Sequence, residues 1–84
     1  MNRKQRKTLD AIFADPVSPS INWRSVESLL LALGCKEIEG SGSRVKFEKD
    51  GVLASFHRPH PEPTAKRYQI RDVREFLTKL GVQL

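Results

Sequence analysis

The chain has 84 residues, with 15 Lys and Arg against 10 Asp and Glu, for a net charge of +5 and a pI near 9.8. That length allows one small core, close to the size at which burial only just offsets chain entropy. No apolar run approaches the roughly 20 residues that a bilayer-spanning helix needs.

Hydrophobic residues at 38% and charged residues at 30% are the proportions of a globular protein rather than a disordered one. The segment Met1-Asn2-Arg3-Lys4-Gln5-Arg6-Lys7 is basic, but no apolar stretch of signal-peptide length follows it. The expectation is a soluble cytoplasmic chain with no membrane partner. A single cysteine, Cys35, excludes an internal disulfide and any cysteine-built zinc site. Placed just after an apolar helix, it reads as a small buried filler. The basic surplus favours a polyanionic partner, either a nucleic acid or an acidic protein.

The first predicted element is a helix over about Arg3 to Ala14, with Leu9, Ile12 and Phe13 as its apolar stripe. Arg3, Lys4, Arg6 and Lys7 crowd its amino end, where cations oppose the helix dipole. Asp15-Pro16-Val17-Ser18-Pro19-Ser20 cannot continue a helix and reads as an extended linker. Asn22 then caps a second helix, about Trp23 to Leu33, with Val26, Leu29, Leu30 and Leu33 at helical spacing and Gly34 as a left-handed stop.

Lys36-Glu37-Ile38-Glu39 is a short candidate strand, and the glycine-serine turn Gly40-Ser41-Gly42-Ser43 follows it. Arg44-Val45-Lys46-Phe47-Glu48 alternates cleanly, Asp50-Gly51 marks a two-residue hairpin turn, and Val52 to His57 is the return strand. If Asp50 and Gly51 are the central turn residues, Lys49 pairs with Val52, Phe47 with Ala54, Val45 with Phe56, and Arg44 with His57. Val45, Phe47, Ala54 and Phe56 then share an apolar face against the helices. Arg44, Lys46, Ser55 and His57 share the other, which is polar and cationic.

Pro59 to Thr64 carries three prolines and reads as a rigid loop. Lys66-Arg67-Tyr68 leads into a last helix, about Ile70 to Leu80, with Ile70, Val73, Phe76, Leu77 and Leu80 inward, Arg71, Arg74 and Glu75 outward, and Gly81 as the stop. The expected fold class is α+β, in the order α-α-β-β-β-α, with helices on one face of a three-stranded antiparallel sheet and the other face open. Residues 1–22 form a helix and Pro/Ser linker; residues 23–84 form the sheet domain.

His57 and His60, three residues apart among arginines, are the residues best suited to proton transfer near neutral pH. They suggest a site that handles a phosphodiester or grips one, which calls for proton transfer and for cations around the phosphoryl oxygens. Arginine suits the last role because its fork matches phosphate oxygens. In the expected register His57 lies within about 5 Å of Arg44 at Cβ. Gly40, Gly42 and Ser43 would offer backbone N–H groups to phosphate, as glycine-rich turns do. Ser43 donates a hydrogen bond but is no general base unaided. His60, between Pro59 and Pro61, shapes the loop exit as readily as it transfers a proton. Two histidines alone lack the third and fourth ligands usual for zinc, so no metal or other cofactor is expected. Arg58, Lys66, Arg67, Arg71 and Arg74 form the densest basic stretch; with Arg44 and Lys46 they suit phosphate contacts, although a solvated helix face accounts for the same residues. Trp23 and Tyr68 either stack on bases or pack at the edge of the core.

The pattern resembles the double-stranded-RNA-binding-domain-like fold of HicA-type toxins. The residues that carry the likeness are Trp23-Arg24-Ser25-Val26-Glu27-Ser28-Leu29-Leu30, Leu33-Gly34, the Gly40–Ser43 turn, His60-Pro61, and Ile70, Val73, Phe76, Leu77 and Gly81. They span about Trp23 to Val82 and leave the first helix as an extension. The resemblance implies a metal-independent endoribonuclease that cuts messenger RNA, the toxin of a type II toxin–antitoxin pair held inactive by a HicB-like antitoxin. It also implies a catalytic histidine at the end of the glycine-serine turn. The matching position here is Ser43, or Gly42 if the turn is shifted by one. The alternative is a catalytically inactive RNA-binding or partner-binding module of the same fold.

Overall fold

Asn22 opens the helix Trp23–Ala32 (α2) by accepting the backbone N–H of Arg24 at 2.9 Å, one of the donors that a helix start leaves without a partner. At the other end Gly34 takes φ +92°, a left-handed conformation that few other residues adopt, and Lys49 Nζ donates to the free carbonyl of Leu33. The computed structural model describes residues 1–83, so Leu84, the last residue of the predicted second domain, lies outside the described residues.

The preceding helix, Arg3–Ile12 (α1), is two residues shorter than the apolar stripe suggested. A reciprocal pair of hydrogen bonds between Asn2 and Gln5 caps its start. Strands Lys36–Glu39 (β1), Arg44–Lys49 (β2) and Val52–His57 (β3) form one antiparallel sheet in the order β1-β2-β3. The last helix, Arg67–Lys79 (α3), begins a turn earlier than predicted. Its first turn is polar and carries no apolar period to detect, and Gln69 fixes it by accepting the N–H of Lys66 at 2.8 Å.

The hairpin register is the expected one: Arg44 opposes His57, Val45 opposes Phe56, Phe47 opposes Ala54 and Lys49 opposes Val52. Asp50 and Gly51 both have positive φ, +52° and +81°, the twist that a two-residue turn needs to match its strands. Val45, Phe47 and Phe56 are buried against the helices, while Ala54 is half-buried. Phe56 sits between the helices, 5.4 Å from the Trp23 ring and 6.3 Å from the Phe76 ring, in edge-on contacts favoured by the ring quadrupoles.

α1 shares this core. Leu9 and Ile12 are buried in it, as are Val17 and Ile21 of the proline-containing linker. A short strand-like link fastens that linker to the proline loop, with Trp23 N–H donating to Pro63 O and Ala65 N–H to Ile21 O, each at 2.8 Å. One outward placement needs correction. Arg74 is half-buried rather than solvated, donating twice to Ile12 O (2.7 and 2.9 Å) and once to Ala14 O, with its guanidinium over the Phe13 ring. It holds the free carbonyl end of α1, a contact that helical periodicity cannot reveal.

Candidate nucleic-acid interface on the open sheet face

Side chains alternate across a strand, so the register of both strand pairs fixes what faces away from the helices. Arg44, Lys46, Ser55 and His57 are all exposed on that face, together with Lys36 and the apolar side chains of Ile38 and Leu53. A depression of about 320 Å³ opens there, lined by Gly40, Ser41, Arg44, Lys46, Ser55 and His57 among others. It joins one imidazole, two cations and two hydroxyls.

The glycine-serine turn forms one rim. Gly40 N–H donates to Arg44 O at 3.0 Å, closing the β1–β2 hairpin, and a Cβ at Gly40 would lie 3.1 Å from the Cβ of Arg44. That is a tight contact, so a larger residue at position 40 would need Arg44 to give way slightly. The N–H of Gly40 is therefore occupied within the hairpin, whereas those of Gly42 and Ser43 make no hydrogen bond to the protein among the described residues. Gly42 has φ +63° and, like Ser43, is exposed. Neither lines the depression.

His60 lies elsewhere. It lines a second groove, with Pro59, Pro61, Lys66, Arg67 and Tyr68. Arg71 is exposed farther along α3. The predicted residues thus divide into a sheet group around His57 and a loop group around His60.

Arg58 joins neither. Its Nε donates to Glu27 of α2 at 2.8 Å, and its two terminal nitrogens grip both carboxylate oxygens of Glu39 at 2.8 and 2.9 Å. Glu37 lies 3.6 Å away. Glu27 also accepts from the indole N–H of Trp23, so one carboxylate joins the buried ring to the guanidinium. The backbone N–H of Arg58 donates to Ser43 O at 2.8 Å. One residue thereby ties the glycine-serine turn, the edge strand and α2 to the end of β3. The hydrogen bonds from Arg58 hold the Glu39 carboxyl below its ordinary value, and those from Glu39 and Glu27 raise the guanidinium further above its own. Burial, then the neighbouring charge of Glu27, pushes Glu37 up. Burial likewise raises the Cys35 thiol.

Two features of this arrangement escaped the sequence reading. Gln69, buried in α3, donates to His57 O at 2.6 Å and so fixes the backbone that carries the imidazole. Nothing local to Gln69 signals that reach. The carboxylates around Arg58 are the other: β1–β2 pairing turns Glu37 and Glu39 to the helix side, where Arg58 meets them.

A family model described as HicA toxin of bacterial toxin-antitoxin matches residues 23–82. The chain belongs to the HicA toxin family. No curated protein and no solved structure matches it. In this HicA-family chain, α1 and the linker precede the matched segment. No helix among the described residues is long and apolar enough to cross a membrane.

Proposed function

We propose that the chain is the toxin of a type II toxin–antitoxin pair and acts as an endoribonuclease on messenger RNA, with His57 as general base on the open sheet face. The observation that carries this reading is the exposed His57 directly across from Arg44, beside Lys46 and Ser55 in one depression. The imidazole takes the proton of a 2′-hydroxyl, and that oxygen attacks the adjacent phosphorus. The bond to the 5′-oxygen then breaks, leaving a 2′,3′-cyclic phosphate and, after a proton returns from water or the imidazolium, a 5′-hydroxyl. Arg44 and Lys46 hold the charge that grows on the phosphoryl oxygens. The free N–H groups of Gly42 and Ser43 suit a neighbouring phosphate.

Purified protein incubated with a structured transcript and a metal chelator is expected to yield cyclic-phosphate ends. His57→Ala should slow cleavage by roughly 10²- to 10⁴-fold, the usual contribution of a general base, while RNA affinity stays close to wild type. Undiminished cleavage by His57→Ala would remove the proposed role. Co-expression with a HicB-like antitoxin should give a stoichiometric complex without cleavage.

A second reading, an RNA- or partner-binding module without catalysis, is favoured by one observation: a single imidazole faces the depression, and Ser43 stands where the family resemblance puts a histidine. It predicts salt-sensitive RNA binding with no product in the same assay.

A further inference from the structure

Tyr68 presents an aromatic ring to solvent at 55% exposure, in the first turn of α3. The other rings are engaged: Trp23, Phe47, Phe56 and Phe76 are buried, and Phe13 lies half-buried under Arg74. Tyr68 lines the groove of about 680 Å³ that also holds His60, together with Pro59, Pro61, Lys66 and Arg67. Pro19, from the linker outside the family match, lines it as well. Neither Lys66 nor Arg67 forms an ion pair among the described residues, and both are exposed.

We propose that this groove is a subsite for one unpaired RNA nucleotide, its base stacked on Tyr68 and its phosphate held by Lys66 and Arg67. The proposal rests on RNA being the partner and names the form of RNA that the protein takes. A phenol ring stacks with any base, because every base has a π-face. The prolines supply a stiff apolar wall that loses little entropy when a base docks. Two cations line the same groove as the ring, and they stand at the α3 amino terminus, which adds partial positive charge. His60 then serves as a contact to the base or phosphate rather than a proton carrier. Glu62 also lines the groove; its carboxylate repels a phosphate but accepts from an exocyclic amine, so it favours the base over the backbone.

A base inside a duplex is stacked on both faces and cannot reach such a ring. The groove therefore selects loops, bulges or ends. An acidic protein would satisfy Lys66 and Arg67 but would leave the stacking ring unexplained.

The test uses the full chain with a short single-stranded RNA and a duplex of the same composition, both 2′-O-methylated so that binding is read without cleavage whatever the role of His57. Tyr68→Ala should weaken single-strand binding roughly five- to a hundred-fold while the far-UV spectrum and melting temperature hold, as expected for stacking on an exposed ring. Tyr68→Phe keeps the π-face and should bind within about twofold of the parent. Duplex binding should be unchanged by either substitution. Unaltered single-strand affinity in Tyr68→Ala would overturn the subsite, as would an equal loss on duplex. A Tyr68→Phe variant as weak as Tyr68→Ala would assign the effect to the hydroxyl and likewise overturn stacking. Failure of His57-dependent cleavage leaves this binding test intact, so the two readings fail separately.

Discussion

Arg58 shows why a basic residue in a predicted nucleic-acid surface has to be judged by its partners. Three carboxylates surround its guanidinium, and its nearest functional neighbour, Ser43, is reached through the backbone. A residue that touched phosphate would release a counterion on binding, and its loss would lower the salt slope by about one. Arg58→Gln should leave that slope unchanged in an RNA titration. The same substitution should reduce unfolding free energy by roughly 1–2 kcal/mol in a urea melt, because Glu27 loses a charged donor in a partly screened site. Acid should act through Glu39. Its folded-state value lies below the ordinary 4.5, so its pairing stabilises the fold fully above that value and is lost as pH falls through the lower folded one. Glu37, raised by burial, works in the opposite sense and blunts the effect. Urea midpoints measured down the acid range should therefore fall in the wild type and fall less in Glu39→Gln.

At the level of elements, the short hairpin turn governs the site, because a slip of one residue would move His57 and Arg44 to the helix side. Glu48 reinforces the turn by accepting the N–H of Gly51 at 2.9 Å. A side chain at Gly51 has space around it but must adopt φ +81°. Gly51→Ala should thus cost about 1 kcal/mol through backbone strain alone, read from the urea midpoint. A stability equal to wild type would show that the left-handed backbone at Gly51 stores no strain for a larger residue. These local devices were legible in the chain: Asp-Gly, the period-two alternation and Asn22 before Trp23 all act over a few residues. The start of α3 was not, because its first turn is stabilised by Gln69 rather than by an apolar stripe. The division of the basic residues was equally hidden. Arg58, Lys66 and Arg67 are close in sequence, yet one faces carboxylates and two face a groove.

For the whole molecule, the question is how far the segment before the family match belongs to the same folding unit. Ile12 is fully buried, and Arg74 of α3 holds the carbonyl end of α1. Ile12→Ala should cost about 2–4 kcal/mol, a large share of the stability of so small a domain. Removal of residues 1–14, which leaves the Asn22 cap and the Ile21–Ala65 link in place, is expected to lower the melting temperature sharply, since it uncovers the faces of α2 and α3 that α1 protects. A truncated chain that melts with the full one would make the extension an independent appendage.

Composition, helical period and turn chemistry determined the order of elements, the strand register and the sidedness of the sheet, because each of these is set by interactions over a few residues. Whether a given cation meets a carboxylate, a carbonyl or open solvent was decided only by tertiary structure. That depends on which elements confront one another across the core: Glu39 of an edge strand meeting Arg58, Ile12 meeting Arg74, His57 O meeting Gln69. Charges pair through space, and distance along the chain carries no record of it.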